Sequence, residues 1–354
     1  MIPREDIQKI LEAGVQAPSG ENCQPWRFVI DGSKIKISNI PERDTSLYNV
    51  LQFGSFIAHG ALIENMLIAS SAMGYRGVVE LFPNTEDKNH VANFILEKSA
   101  PFEEPLLKFI TQRSTNRNPY TEKQLTEDQK HELLKTVGEI GEGEVKLIEN
   151  LKDKKDIAKY LTVSDRILFE NKKVHDFLFS HIIWDKKEAE EKKSGFYIKE
   201  LALPLPIEKI FKILRDWNKV LLFNKFGFSK FAAKGNIKLY SKVGALGAIV
   251  VRGNTPTDFL TAGRIMQRLW LKATRMGLSI QPVTGVLFFM QRILGNAAED
   301  FSQEHIQIIT EGYKTIATRF GINKDETIAM ILRIGFCNKS NTRSLRLAPE
   351  IYFE

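Results

Sequence analysis

The sequence predicts an α+β fold made of two related halves, about 1–105 and 106–354. A run with helical spacing occurs twice, from Phe56 to Tyr75 and from Phe259 to Leu278, and each copy carries a glycine near its carboxyl end. Each copy is followed by a short apolar run and then by a β-like run, VANFILEK in the first half and IAMILRIG in the second. A length of 354 residues with 43% hydrophobic content also suits two domains or one large one.

The two helical runs align without gaps at a constant separation of 203 positions. The identical pairs are Phe56 and Phe259, Gly60 and Gly263, Met73 and Met276, Gly74 and Gly277. Two unrelated amphipathic helices can share four identities by chance. The similar elements that follow each run favour an internal duplication.

Each half is expected to contain a helix, a strand, a long core helix and a returning strand. The first half opens with an amphipathic run, and the stretch APSGENCQPWRF, 17–28, then supplies turn-forming Pro, Ser, Gly and Asn before a strand. In the second half, TEDQKHELLKTV and ENLKDKKDIAKYL are typical of solvated helices. A large insertion is expected in this half at about 187–242.

Composition limits the classes of function. The two cysteines, Cys23 and Cys337, imply no disulfide framework, and with no recognisable signal peptide they favour a reducing cytoplasm. The first helical run contains His59, Glu64 and Asn65, which indicates a buried core helix rather than a membrane span. The six histidines show no metal-ligand spacing, so we expect no metal site and a hydrogen-bonded core role for His59.

The net charge of +7 is concentrated in one segment. From Leu201 to Ala245 there are nine Lys or Arg residues and two acidic ones, so the rest of the chain is neutral. From Pro206 the residues Ile207, Ile210, Phe211, Leu214, Trp217 and Leu221 have a one-sided helical spacing. This segment could be a lid, a membrane-surface helix within 206–238, or an exposed helix with solvated lysines. No nucleic-acid partner is expected, because no known binding module is recognisable.

The stretch RSTNRNPY, from Arg113 to Tyr120, offers two guanidinium forks with hydroxyl groups between them. Such a set suits a phosphate. The same composition also suits a helix start with solvated arginines, and the stretch by itself does not decide between the two.

Two stretches considered together carry a family resemblance. APSGENCQPW resembles the Ala-Pro-Ser-x-x-Asn-x-Gln-Pro-Trp signature of the FMN-dependent nitroreductase family, and RSTNRNPY resembles its Arg-x-Ser/Thr-x-Lys/Arg signature. GLSIQPVTG, 277–285, is similar to the family's Gly-Leu…Pro-x-x-Gly segment, and the basic tail GFCNKSNTRSLRLAPE follows the last core strand as in the family. The resemblance touches both halves and is weakest in the insertion.

The order of the motifs implies a nitroreductase-like fold in which two halves form a fused pseudo-dimer, as in the Acg-type branch with its lid. In the family the Arg motif normally precedes the Pro-Ser-x-x-Asn loop, and two subunits share each flavin. Here the loop lies in the first half and the Arg motif opens the second, which implies one FMN site between them. The residues implied to bind FMN are Pro18, Ser19, Gly20, Asn22, Arg113, Thr115, Arg117, Pro282, Thr284, Gly285, Arg343 and Arg346.

The resemblance implies an oxidoreductase that passes hydride from NADH or NADPH through FMN to a small electron-poor acceptor. The flavin carries the chemistry, so no catalytic side chain is expected. The alternative is a flavin-sequestering protein with a closed lid and little turnover. Thr284 stands where many relatives have Glu, Cys23 is expected to be an inert thiol, and Gln24, Pro25 and Trp26 are expected to be structural. The assembly would be a monomer, as a pseudo-dimer, or a homodimer.

Overall fold

The computed structural model describes residues 2–340 and 342–354, and its first hundred residues form an α+β unit. The unit begins with a helix whose buried face includes Ile7, Ile10 and Leu11, followed by the turn-rich loop and a β-hairpin. Its elements are α1 (Arg4–Gly14), β1 (Trp26–Asp31), β2 (Lys34–Asn39), α2 (Phe53–Ala72), β3 (Tyr75–Leu81) and β4 (His90–Lys98).

The remainder of the chain contains a second sheet, a helical insertion and a carboxy-terminal strand. Its elements are α3 (Leu107–Ile110), α4 (Glu127–Leu134), α5 (Thr136–Ile140), β5 (Glu144–Ile148), α6 (Leu151–Leu161), α7 (Val163–Leu168), α8 (Lys172–His181), β6 (Ile182–Ile183), α9 (Lys186–Lys192), β7 (Phe196–Tyr197), α10 (Leu205–Ile213), α11 (Trp217–Asn224), α12 (Phe228–Ser241), β8 (Ala245–Arg252), α13 (Pro256–Arg275), β9 (Ser279–Pro282), α14 (Gly285–Leu294), α15 (Gln303–Phe320), β10 (Glu326–Gly335) and β11 (Ile351–Phe353).

The two main sheets have the same strand order. The first sheet has the order β11-β1-β2-β4-β3, and the second has the order β5-β8-β10-β9. The pairs β1–β2, β2–β4 and β4–β3 are antiparallel, and so are β5–β8, β8–β10 and β10–β9. The α+β class is therefore confirmed. The extra strand β11 comes from the carboxy terminus and pairs in parallel with β1, so the tail crosses to the first sheet.

The long helices α2 and α13 pack directly on each other through glycines. A Cβ atom on Gly60 would lie 1.9 Å from the carbonyl oxygen of Leu260, and one on Gly263 would lie 2.0 Å from the carbonyl oxygen of Ile57. Since 57 and 60 are each 203 positions before 260 and 263, the two contacts are equivalent and reciprocal. Reciprocal contact of this kind is the pattern of a two-fold interface.

Polar contacts across the same helix pair repeat this reciprocity. The Gln267 amide donates to the Asn65 side-chain oxygen at 2.7 Å, and Arg268 Nε donates to a Glu64 carboxylate oxygen at 2.5 Å. Glu64 is fully buried and also accepts from Arg264 at 3.1 Å. Two guanidinium groups therefore compensate the one buried carboxylate in this interface.

The insertion differs from its predicted form. The one-sided run from Pro206 is divided between α10 and α11, because the Asp216 carboxylate accepts from the Asn218 amide and starts a new helix.

The apolar run VTGVLFF, outside the insertion, is mostly helical, since β9 ends at Pro282 and α14 begins at Gly285. No helix in the described ranges is long and apolar enough to cross a membrane.

Candidate functional site

All twelve residues that the sequence analysis selected line one cavity. The cavity has a volume of about 340 Å³, within the roughly 300–1,000 Å³ typical of small-molecule sites. The loop residues 18–22 come from the first half, and the arginines and the Pro282–Gly285 segment come from the second. The predicted residues listed by position are Pro18, Ser19, Gly20, Asn22, Arg113, Thr115, Arg117, Pro282, Thr284, Gly285, Arg343 and Arg346.

The loop from the first half is held open by unusual backbone angles. Glu21, Asn22 and Gln24 have φ values of 43°, 56° and 52°, in the left-handed region that residues with a Cβ seldom adopt. The Ser19 hydroxyl oxygen accepts from the Gln24 amide at 3.0 Å, which closes the turn. Asn22 is 4% exposed, and its side-chain oxygen accepts from Arg346 at 2.7 Å. The loop is thus tied to the carboxy-terminal tail.

The Gln24 side chain joins three segments of the chain through hydrogen bonds. Its side chain is fully buried, donates to the Lys193 carbonyl oxygen at 2.8 Å and accepts from the Leu347 amide at 2.8 Å. One amide therefore joins the first half, the insertion and the tail. Trp26 is 3% exposed and begins β1 as a core residue. The structural roles expected for both residues are confirmed.

Four arginines, here called the arginine cluster (Arg113, Arg117, Arg343 and Arg346), surround the cavity. In the described part of the chain none of them pairs with a carboxylate. Their guanidinium groups donate to the carbonyl oxygens of residues such as Gln16, Ala17 and Glu200 and to side-chain amide oxygens. Arg113 is 2% exposed, and its Nε has no hydrogen-bond partner among the described residues. The cluster therefore presents positive charge to the cavity from one buried and three half-buried side chains.

Burial and mutual repulsion make this charge unfavourable in the absence of an anion. Burial, with smaller contributions from Arg346 and Arg343, lowers the pKa of Arg113 well below its usual range. Burial first, and then the charge of Arg343, lowers the pKa of Arg346 to about 10. An anionic group bound between these side chains would reverse both effects.

The Pro282–Gly285 segment forms a close backbone wall opposite the loop. A Cβ atom on Gly285 would lie 2.6 Å from Ser164 Cβ, so the chain can pass there only as glycine. Gly285 is the first residue of α14, and the Thr284 side chain forms no capping hydrogen bond. Nearby, Thr115 bridges in parallel to Ile280 of β9, which places the Arg motif beside this segment.

Sequence reasoning missed several residues of the cavity wall. Glu21 and Asp44 line it, and Cys23 lies beside them, with potential ligand atoms of all three within 4.8 Å of one another. Burial, followed by the charge of Asp44, raises the pKa of Glu21 to about 8, and burial also raises the pKa of Asp44 and of the Cys23 thiol. These shifts favour the protonated, uncharged forms of the two carboxyl groups and the thiol. Glu21 lies within the recognised loop, but nothing in the sequence connects it with Asp44.

Residues 193–200, here called the closing segment, lie over one side of the cavity. Phe196 and Glu200 line the wall, and the Glu200 carbonyl oxygen accepts from Arg117 at 3.1 Å. The Glu200 carboxylate accepts from the Ser344 hydroxyl. From the predicted lid, about 187–242, Phe196, Glu200 and Tyr240 line the cavity, whereas α10 and α11 contribute no lining residue. The lid interpretation therefore suits the closing segment and does not suit the amphipathic run from Pro206.

His59 has the hydrogen-bonded core position that the sequence predicts. It is fully buried in α2, and its Nδ1 lies 2.8 Å from the Ser55 carbonyl oxygen, whereas its Nε2 makes no hydrogen bond to the residues that the structure describes. Burial lowers the pKa of His59 to about 4, so the neutral ring is the stable form. It is a core residue, but only one of its two nitrogens is satisfied.

The amino-terminal part of the chain, which contains the loop motif, matches a known family. The model of the nitroreductase family matches residues 1–45. "Uncharacterized protein MT1398" of Mycobacterium tuberculosis (strain CDC 1551 / Oshkosh) is 25% identical over 288 residues, 81% of this chain and 40% of the relative. "Putative NAD(P)H nitroreductase acg" of the same strain is 28% identical over 95 residues, 26% of this chain and 28% of the relative. The matches thus span less than half the length of these curated relatives.

Matches among solved structures have TM-scores below 0.5 and include two nitroreductases. The FMN-dependent nitroreductase NfnB from Mycobacterium smegmatis, in complex with NADPH, has a TM-score of 0.35 and 12% identity, covering 68% of this chain and 92% of that one. A nitroreductase with bound FMN from Bacteroides fragilis has a TM-score of 0.34 and 12% identity, covering 67% of this chain and 94% of that one.

Proposed function

We propose that this chain, which its amino-terminal match and mycobacterial relatives support as a nitroreductase-family protein, is an oxidoreductase that holds one FMN in the cavity described above. The observation that carries the proposal is the arginine cluster. One buried and three half-buried guanidinium groups face the cavity and pair with no carboxylate among the described residues, which suits a dianionic phosphate.

The residues around the cluster fit the rest of FMN. Arg113, Arg343 and Arg346 would hold the phosphate, and Thr115 would add a neutral hydroxyl donor. Arg117, nearer to Glu200 and the closing segment, would lie toward the ring system. The backbone at Gly285 would approach the flavin edge, because no side chain intervenes there. Thr284 replaces the family's Glu, so this position offers a hydroxyl and no charge.

Both halves are needed for the site that we propose. The loop at 18–22 comes from the first half, about 1–105, and the arginines and Gly285 come from the second, about 106–354. The equal strand order of the two sheets and the reciprocal contacts of Gly60 and Gly263 support a fused pseudo-dimer. The seam between the halves would then be the flavin site, as between two separate subunits.

When bound, FMN would accept hydride from NADH or NADPH and pass it to a small electron-poor acceptor. The chain's part is to bind the cofactor, orient it and exclude water. Phe196 of the closing segment and the small residues Ser19 and Gly20 of the loop both line the cavity. No proton-transfer role is required of a particular side chain.

An absorption spectrum of the purified protein tests this function. We expect bound flavin, bleaching of its colour by NADH or NADPH, and recovery with a quinone or nitroarene. Colourless protein that takes up no added FMN would contradict the proposal.

The second candidate is a flavin-sequestering protein, favoured by the contacts that hold the closing segment in place. The Lys193 carbonyl oxygen accepts from the side-chain amides of both Asn22 and Gln24, and the Ser344 hydroxyl donates to the Glu200 carboxylate. Flavin that binds but stays oxidised with every donor would favour sequestration over turnover.

A further inference from the structure

The insertion exposes an unusual concentration of large apolar side chains. Eight of the seventeen exposed large hydrophobic residues lie between 205 and 231, and Phe226 is 85% exposed, Phe231 77% and Leu205 68%. We call this set the outer face; its members are Leu205, Ile207, Ile210, Ile213, Leu221, Leu222, Phe226 and Phe231. Single exposed apolar residues are common, but a group of this size indicates an interaction surface.

The outer face is exposed because each of its helices is anchored by different residues. From α10, Phe211 stacks on Phe179 with ring centroids 5.2 Å apart. From α11, Trp217 lies 5.0 Å from His175, and from α12, Phe228 lies 5.1 Å from Phe169. These inward aromatics already bind the helices to α7 and α8, so the outward apolar residues are not needed for packing.

The turn between α11 and α12 projects the most exposed aromatic. Gly227 has φ 77°, which permits a sharp change of direction there. Phe226 precedes that glycine, and Phe231 lies in the first turn of α12. Both rings therefore extend from one tip of the insertion.

The same helices carry the chain's net positive charge. Exposed cationic side chains lie between the apolar residues of the outer face. Six of these cations make no ion pair with any described residue: Lys209, Lys212, Arg215, Lys219, Lys225 and Lys234. The acids of the segment do not offset them nearby, because Glu208 is buried against Lys199 and Asp216 caps α11. The outer face is therefore apolar and cationic together.

We propose that the outer face binds the surface of an anionic lipid bilayer. Phenylalanine and branched aliphatic side chains would enter the headgroup boundary, while the lysines would neutralise lipid phosphates. A second copy of the chain is a poorer occupant, because it would bring the same cations against one another. A nucleic acid would attract the cations but would leave Ile207, Ile210 and Ile213 without an apolar partner.

Vesicle flotation with the full-length protein tests this surface. We expect binding to vesicles of phosphatidylcholine mixed with phosphatidylglycerol, weaker binding to phosphatidylcholine alone, and weakening of the first by salt. Phe226→Ser and Phe231→Ser should each reduce partitioning about tenfold or more, because each removes a ring that the bilayer would take out of water. Lys209→Gln and Lys212→Gln should each reduce it about fivefold. The matched control is Phe102→Ser, at a phenylalanine 60% exposed outside this face.

The result that overturns the proposal is equally direct. Wild-type protein that stays unbound with anionic vesicles at low salt would exclude it, as would Phe226→Ser and Phe231→Ser variants that bind like the wild type. A dimer in sedimentation that needs Phe226, combined with no vesicle binding, would assign the face to a second copy. Melting temperatures equal to the wild type would show that these exposed substitutions leave the fold intact. The outcome is independent of whether FMN binds.

Discussion

Substitution of Arg113 by Met separates a cofactor-binding cation from a structural one. In the structure Arg113 is 2% exposed, donates to the Gln16 carbonyl oxygen at 3.2 Å and lies over Trp270 with 4.6 Å from its Cζ to the ring centroid. Within residues 2–340 and 342–354, its Nε has no hydrogen-bond partner. Methionine preserves the unbranched apolar stem and removes the charge.

Arg113→Met should weaken FMN binding without lowering the free energy of unfolding of the apo-protein. Without FMN, the variant loses one hydrogen bond, about 1 kcal/mol, and a cation–π contact of about 2 kcal/mol. It also avoids burying an uncompensated charge, an effect of several kcal/mol. The free energy of unfolding of the apo-protein should therefore be unchanged or higher. FMN affinity should fall by about 2–5 kcal/mol, roughly 30- to 4,000-fold, because a phosphate would lose a buried charged donor.

Thermal unfolding of the apo-protein and FMN titration by fluorescence quenching measure the two effects. Arg268→Met is the control, because Arg268 donates to the buried Glu64 carboxylate at 2.5 Å and lies outside the cavity wall. It should lower the free energy of unfolding by about 1.5–3 kcal/mol and leave FMN affinity unchanged. If Arg113→Met instead behaves like this control, Arg113 is a structural cation and the phosphate site is wrong.

Four further substitutions test the fold and the loop. Gly60→Ala should destabilise by about 1–3 kcal/mol or more, since its Cβ would lie 1.9 Å from the Leu260 oxygen. The control is Gly235→Ala in α12, where nothing lies within 4 Å of the added Cβ, and it should stabilise the protein by about 0.5–1 kcal/mol. Equal melting temperatures for the two variants would contradict the close packing of α2 on α13. Glu21→Gln should flatten the pH dependence of the free energy of unfolding of the apo-protein. The pKa of Glu21 in the folded protein is about 8, above the ordinary 4.5. Its stabilising contribution is therefore complete below pH 4.5 and is lost as the pH rises towards 8. An unchanged slope in pH-dependent denaturant titrations would refute this. Gln24→Ala should lower the free energy of unfolding by about 1–3 kcal/mol and speed limited proteolysis near Lys193. It leaves the Leu347 amide unpaired and leaves the Lys193 carbonyl oxygen with only the Asn22 donor, at 3.2 Å. Unaltered cleavage would show that the Gln24 contacts are dispensable.

Local patterns were sufficient for the core elements and for the members of the site. The spacing of the two helical runs corresponds to α2 and α13, and both end where a glycine has positive φ, at Gly74 and Gly277. The motif residues from Pro18 to Arg346 could be selected because each signature is short and its residue types are chemically restricted. That they bind FMN remains a prediction.

Other features depend on neighbours that are distant in sequence. Sequence could not show that the outer face points to solvent, because the side that is buried depends on where Phe169 and Phe179 lie. The pKa of Glu21 is similar, since it depends on burial and on Asp44, which nothing in the sequence connects with the loop.

Sequence alone determined the secondary-structure core, the concentration of positive charge in the insertion and the twelve candidate residues, because periodicity, net charge and motif chemistry are local properties. Tertiary structure alone decided that those residues line one cavity, that the arginines lack carboxylate partners among the described residues, and which side of each insertion helix is exposed. Desolvation and pairing depend on distances between segments, and those distances exist only once the chain has folded.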